Sequence, residues 1–392
     1  MPPAVLVLGL SVFALGTSEF MIAGLLPPLA ADLGVSIPDA GLLVSAFAAG
    51  MLVGAPLLAA ATLRLPRKLT LLGMLGVFAL GHVIGALAPG YGLLFATRVL
   101  CALACAGFWA VAAVTAISLV PADRRGRAMA VVAGGLTAAN VLGVPLGTAL
   151  GQSGGWRAAF WAVAALATLA LAGVLAFVPR AGGAAQRPDL RAELRAYRRG
   201  ALGLALGITA LTCATTMATF SYLAPLLTDV TGLASRWVPV VLAVFGLGAL
   251  IGIAVGGRLA DSRPLATLAA GLIASLVVLA ALALGASSAV LTVPAVFLLG
   301  LLGFLTNPSL NTRVFTLAGA APTLAGATNV TAFNTGIVVA PWLGGLAIDA
   351  GLGYPSVAWV SAGFAVAALA AVAAARLLER RAVPEAAPAP VP

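Results

Sequence analysis

Apolar runs of about 20 residues or more recur along this chain, each long enough to carry a helix across the hydrocarbon of a bilayer. A soluble fold is excluded: charged residues make up 8% of the sequence, where a soluble domain carries roughly 25%. With 62% hydrophobic residues and a mean hydropathy of +1.13, this is an integral membrane protein. In lipid every backbone N–H and C=O must be satisfied within the chain, which leaves helices or closed barrels. The runs lack the alternation of barrel strands, so the expected fold class is an all-α membrane protein.

Charge and Gly/Pro punctuation divide the runs into twelve spans, over 4–31, 38–62, 69–88, 91–119, 129–151, 157–178, 201–228, 236–257, 265–285, 289–313, 325–348 and 356–376. Of the 21 basic residues, eighteen fall at even-to-odd connections, in the central loop or after the last span. Only Arg157 and Arg236 lie on the opposite side, and Arg98 is inside span 4. Lys and Arg accumulate on the cytoplasmic side of a membrane protein, so both termini are expected in the cytoplasm of a bacterial cell membrane. The formal charge of +10 belongs to these loops and implies no nucleic-acid partner. The opening run lacks a charged leader and a cleavage site, so it reads as a retained first span.

The halves repeat. Pro28 and Asp32 recur at Pro225 and Asp229, Gly50 and Gly54 at Gly248 and Gly252, and TAAN (137–140) as TAFN (331–334), at offsets of 194 to 198. That repetition predicts two pseudo-symmetric six-helix bundles in the same orientation: an N-terminal bundle (1–178), a cytoplasmic central loop (179–200), a C-terminal bundle (201–381) and a Pro/Ala-rich disordered tail (382–392). The end of the central loop reads either as an amphipathic helix on anionic headgroups or as a solvated tether. Cys101, Cys105 and Cys213 lie in apolar runs without partner ligands, and His82 is alone in its run. These are read as packed residues, with no metal and no cofactor.

Two charges stand inside the spans. Glu19 in GTSEF of span 1 and Arg98 in span 4 each sit where an ionised group costs a few kcal/mol. Counted at 1.5 Å per residue, Arg98 falls roughly 10 Å, and Glu19 roughly 18 Å, below the outer face. Glu19 is either a proton carrier or a neutral carboxyl that holds helices together; Arg98 either reaches toward it, directly or through water, or snorkels to the interface. In span 5, Gly143, Gly147 and Gly151 line one helix face and Pro145 permits a bend. Small residues at this spacing mark any tight helix interface, and the resemblance of this run to the antiporter motif of major facilitator exporters implies packing on span 8.

GGRLADSRP (256–264) resembles the signature loop of the major facilitator family, and NVLGVPLGTALG (140–151) resembles its antiporter motif. Together with GTSEF, GGWRAAFW (154–161) and the position of Arg98, these segments resemble the twelve-span drug/proton antiporters, closest to bacterial chloramphenicol-resistance exporters. The resemblance implies proton coupling through Glu19 and Arg98. It also implies a cytoplasmic latch formed by Asp261 with Arg258 and Arg263; the first-half loop has Leu63 in place of the acid. If Asp261 is only a solvated loop acid, that latch is absent.

The expectation is therefore a monomeric exporter that exchanges a small apolar drug for protons across the lipid bilayer, by alternating access. Glu19, Asn140, Phe220, Tyr222 and Asn334 are its candidate substrate-binding residues. A sugar or metabolite exporter is the alternative, as are an intramembrane enzyme or a non-transporting subunit. An enzyme would need a nucleophile–base pair or metal ligands in the spans, and one histidine with one mid-span carboxylate does not supply them.

Overall fold

The computed structural model describes residues 1–62, 65–180, 200–260, 264–318 and 322–382, without the side chains of 59, 60, 322–325, 327 and 380–382. Its twelve helices long and apolar enough to cross a membrane are α1 (Pro3–Gly24), α2 (Ile37–Leu58), α3 (Arg67–Ala86), α4 (Tyr91–Ser118), α5 (Ala122–Gly154), α6 (Trp156–Phe177), α7 (Gly200–Ser221), α8 (Ser235–Ala260), α9 (Pro264–Gly285), α10 (Ala289–Ala318), α11 (Thr328–Leu352) and α12 (Ser356–Glu379). These are the twelve spans read from the sequence. The central loop over 181–199, the tail from 383 onwards, and Leu63, Asp261 and Arg263 lie outside the described residues; Arg258 lies exposed near the end of α8.

The packing partners repeat as the sequence does. In the first bundle α1 packs on α5 and α6, α2 on α4, and α3 on α4 and α6. In the second, α7 packs on α11 and α12, α8 on α10, and α9 on α10 and α12. Between bundles, α2 lies along α11 and α5 along α8, two contacts that a two-fold operation exchanges.

The repeated glycines explain part of this. Lipid tails are as apolar as leucine, so helices in a bilayer associate through close packing rather than through hydrophobic burial. A Cβ at Gly248 would collide with the Phe297 carbonyl oxygen, and one at Gly252 with that of Leu301. A Cβ at Gly50 would lie 2.6 Å from the Ala102 Cβ and 2.8 Å from the Val99 carbonyl oxygen of α4, and one at Gly54 would lie 3.0 Å from the Ala106 Cβ. Each pair lets the even-numbered helix touch its neighbour at backbone distance.

Two local breaks matter for the site. Pro27 and Pro28 offer no N–H, so α1 stops at Gly24 and the chain restarts as a short helix, Leu26–Leu33, ended by Gly34 in the left-handed region (φ 64°). In α5 a π-turn over Ala139–Gly143 bonds the Val144 N–H to the Ala139 carbonyl, directly ahead of Pro145. This wide turn accommodates the proline without ending the helix.

The glycine face of α5 corrects the expectation that it packs on span 8. A Cβ at Gly143 would collide with the Thr17 hydroxyl, one at Gly147 would lie 3.4 Å from the Met21 Cβ, and one at Gly151 would collide with Leu25. All three residues belong to the first span and its exit, so the motif seats α5 on α1. Contact with α8 uses a glycine from the other helix: a Cβ at Gly246 would lie 2.6 Å from the Asn140 carbonyl oxygen and 2.8 Å from the Val141 Cα.

Gly246 yields a test with a built-in control. An alanine is a better helix former than glycine by about 1 kcal/mol, and a Cβ at Gly257 would meet nothing within 4 Å. Gly257→Ala is therefore expected to leave thermal unfolding in detergent unchanged or slightly raised. Gly246→Ala should lower it by the equivalent of about 1–3 kcal/mol, the usual cost of overpacking.

Candidate functional site

Glu19 and Arg98 come together at one level. Because α1 ends at Gly24, Glu19 is five residues from its end, about 7.5 Å, and Arg98 is seven from the start of α4, about 10 Å. The sequence-based depth of Glu19 was too great because it carried the span through the proline break. Arg98 is 1% exposed, which removes the snorkelling reading. Glu19 is half-buried.

The two charges do not form an ion pair. Arg98 Nη1 donates to Ser18 Oγ at 2.8 Å, and Nη2 approaches the Glu19 backbone carbonyl at 3.4 Å. Its guanidinium lies 4.4 Å over the Phe47 ring, and its Nε–H is buried without a partner. A desolvated cation–π contact is worth about 2 kcal/mol, comparable to the cost of an unmade buried hydrogen bond. The arginine is thus held in place but not fully satisfied. The Glu19 carboxylate takes no hydrogen bond among the described residues.

The serine is held in turn. His82 Nδ1 lies 2.8 Å from the Phe78 carbonyl, and its Nε2 lies 2.7 Å from Ser18 Oγ. One proton arrangement satisfies the chain: Nδ1–H donates to Phe78, the Ser18 hydroxyl donates to Nε2, and Arg98 donates to the serine oxygen. Cys101 closes the cluster, with Sγ 3.5 Å from Nδ1. The sequence reading took His82 and Cys101 as packing only and passed over Ser18 and Phe47. The available signal was a hydroxyl beside the intramembrane acid and the single histidine sixteen residues before the intramembrane arginine.

The candidate lining residues divide. Phe220 lies at the interface between bundles, with its ring 4.6 Å from that of Phe245 and edge-on to Phe20 at 6.2 Å. Tyr222 is 1% exposed and donates to the Pro341 carbonyl at 2.8 Å. Gly41 of α2 and Gly345 of α11 pack against its ring and hydroxyl. It therefore stands in the seam between bundles on the arginine-poor side. Gly24 joins that seam against Thr148 and Leu242. Asn140 and Asn334 are buried and bond carbonyls of their own helices, Leu136 and Val330. The Asn334 Oδ1 has no partner.

On the same side, the GGWR segment forms a clamp. Trp156 Nε1 donates to Asp32 Oδ2 at 2.9 Å, and Arg157 donates to the same oxygen. Arg157 also bonds the Ala88 carbonyl at 3.1 Å and lies 4.4 Å over the Trp156 ring. The clamp ties the exits of α1 and α3 to the start of α6, and through Trp156, Phe160 and His82 its ring contacts reach the arginine network.

Twelve helices in two repeated bundles, a partnered intramembrane arginine and an unpaired carboxylate define a polytopic membrane transporter. The sequence pattern of the Major Facilitator Superfamily matches residues 8–334, and the chain belongs to that family. The chloramphenicol resistance protein of Streptomyces lividans is 47% identical over 344 residues, 87% of this chain and 88% of that protein. The inner membrane transport protein YdhP of Escherichia coli (strain K12) is 36% identical over 349 residues, covering 89% and 90%. The inward-facing, unoccupied structure of a bacterial homolog of the human lysosomal transporter Spinster superposes with a TM-score of 0.79 at 17% identity. It covers 96% of this chain and 97% of that one. The protein is a transporter and not an enzyme.

Hydrogen bonds from Trp156 and Arg157 hold the Asp32 carboxyl below its ordinary range. A lowered folded-state pKa stabilises above the unfolded value, near 3.9, and that stabilisation is lost as pH falls through the folded value. Asp32→Asn should therefore lower the unfolding temperature by a constant amount from pH 8 to about 5. The gap should close below about pH 4, as measured by thermal unfolding across a pH series.

Proposed function

We propose that the protein expels a small, apolar, uncharged drug, with chloramphenicol as the first candidate, in exchange for protons. The observation that carries the reading is the half-buried Glu19 carboxylate, without a hydrogen-bond partner, beside the under-satisfied Arg98. A carboxylate locked in an ion pair is a structural fixture; one left unpaired next to a fixed cation can gain and lose a proton as its exposure changes. The 47% identity to a chloramphenicol resistance protein supports the substrate class.

In this reading the seam around Tyr222, Gly41 and Gly24 is the closed outer gate, and both termini lie in the cytoplasm. Arg98 is the fixed cation beside Glu19, and Ser18 sets the arginine's position, with His82 behind it. Phe220 and Phe245 offer the aromatic surface, and Asn334 offers the open acceptor for a drug hydroxyl. The latch of Asp261 with Arg258 and Arg263 is proposed for the cytoplasmic side. A metabolite exporter is the second reading, and a broader substrate panel separates the two.

The test is a resistance panel in an efflux-deficient host, with and without a protonophore, on the parent chain and Glu19→Gln. The variant keeps shape and hydrogen bonding but carries no proton. The parent is expected to raise chloramphenicol tolerance in a protonophore-sensitive way, and Glu19→Gln, at matched membrane expression, to raise it not at all. Protonophore-sensitive resistance from Glu19→Gln would refute the carrier role.

A further inference from the structure

Away from the transport path, two crevices open side by side at the arginine-rich end of the second bundle. One, of about 440 Å³, has a largely apolar wall, with Pro264 and Leu265 of α9 and Leu317 of α10, but holds the charged groups Arg313 of α10 and Arg376 and Glu379 of α12. The other, of about 350 Å³, is lined by Ala269 of α9 and by Leu369, Val372, Ala373 and Leu377 of α12. Arg376 lines both. On α12, Leu369 is seven residues, about 10 Å, deeper in the bilayer than Arg376. An apolar slot thus runs along the helix and ends at a mouth that carries the charged groups.

The mouth carries surplus positive charge. Arg313, with 9% of its side chain exposed, donates one N–H to Glu379 at 2.8 Å, and its Nε–H is buried without a partner. Arg376 makes no ion pair or hydrogen bond among the described residues. Among the described residues that line it, two guanidiniums against one carboxylate leave one net positive charge, which a single phosphodiester neutralises. A soluble anion would use the mouth and ignore the slot; a neutral lipid would fill the slot and leave Arg376 unpaired.

We infer that the slot and mouth between α9, α10 and α12 bind one anionic phospholipid, its headgroup phosphate on Arg376 and one acyl chain along Leu369 and Ala373. Basic crevices between helices at headgroup level recognise such lipids. The arginine-rich side is the one the positive-inside rule turns toward the anionic cytoplasmic leaflet.

The experiment titrates the delipidated full chain in detergent with phosphatidylglycerol or phosphatidylcholine and counts bound lipid by native mass spectrometry. The parent is expected to bind phosphatidylglycerol roughly fivefold more tightly than phosphatidylcholine, the effect of one arginine at a lipid surface. Arg376→Gln should erase that preference. Ala373→Trp, at an exposed position, should fill the slot and weaken both lipids. Equal binding of the two lipids by the parent, or an undiminished preference in Arg376→Gln, would overturn the inference. So would glycerol phosphate competing at the same concentration as phosphatidylglycerol, which would show that the slot contributes nothing. If Arg376→Gln does not fold, Ala373→Trp decides: unchanged phosphatidylglycerol binding overturns the site.

Discussion

A buried guanidinium that donates its hydrogen bond to a serine, and not to the neighbouring carboxylate, is the interaction on which the first bundle's interior turns. Arg98 is fixed on three sides, by Ser18, by the Phe47 ring and by the Glu19 carbonyl. His82 fixes Ser18 and is itself fixed by Phe78. The network joins α1, α2, α3 and α4, so moving any member changes the setting of the arginine. Its consequence is negative space: the Glu19 side chain is left without a partner in a place where lipid supplies none. An unpartnered intramembrane carboxyl is tolerated only where it reaches water or exchanges its proton.

Around that centre, the fold solves one packing problem twice. The repeated glycines of α2 and α8 bring α4 and α10 to backbone distance, while the glycines of α5 bring α1 to the helix that crosses to the second bundle. Interhelical hydrogen bonds in bilayers average only about 0.6 kcal/mol. The Ser45 bond to the Val338 carbonyl, 2.9 Å between α2 and α11, therefore orients the bundles more than it holds them. Close steric contact does the holding. A seam built from glycine against tyrosine and threonine can part without breaking strong bonds, which alternating access requires.

Much of this was legible in the sequence because bilayer physics is coarse. Twelve apolar runs and repeats near offset 197 specify the helices and a duplicated bundle. What was not legible depends on helix rotation and on one break. The double proline was read as part of span 1, which misplaced Glu19 in depth; the glycines of α5 were read as facing span 8, though periodicity marks a face without naming its neighbour. Ser18, His82 and Phe47 were invisible as a site because a hydroxyl, an imidazole and a phenyl ring in apolar runs look like filling until three helices bring them together. Tyr222 was placed with the drug because an aromatic near the end of an apolar run suits both a cavity and a seam.

The central claim is that Glu19 is the group through which charge crosses. An uncharged drug leaving as one proton enters moves one positive charge inward per cycle, and each charge draws about 2.3 kcal/mol from every 100 mV of membrane potential. The most direct measurement reconstitutes the protein in liposomes, imposes a potential with no pH gradient, and follows labelled chloramphenicol. The account predicts that potential alone drives uphill movement by the parent chain and none by Glu19→Gln. Uphill movement that responds to a pH gradient but not to potential, or that persists in Glu19→Gln, would contradict it.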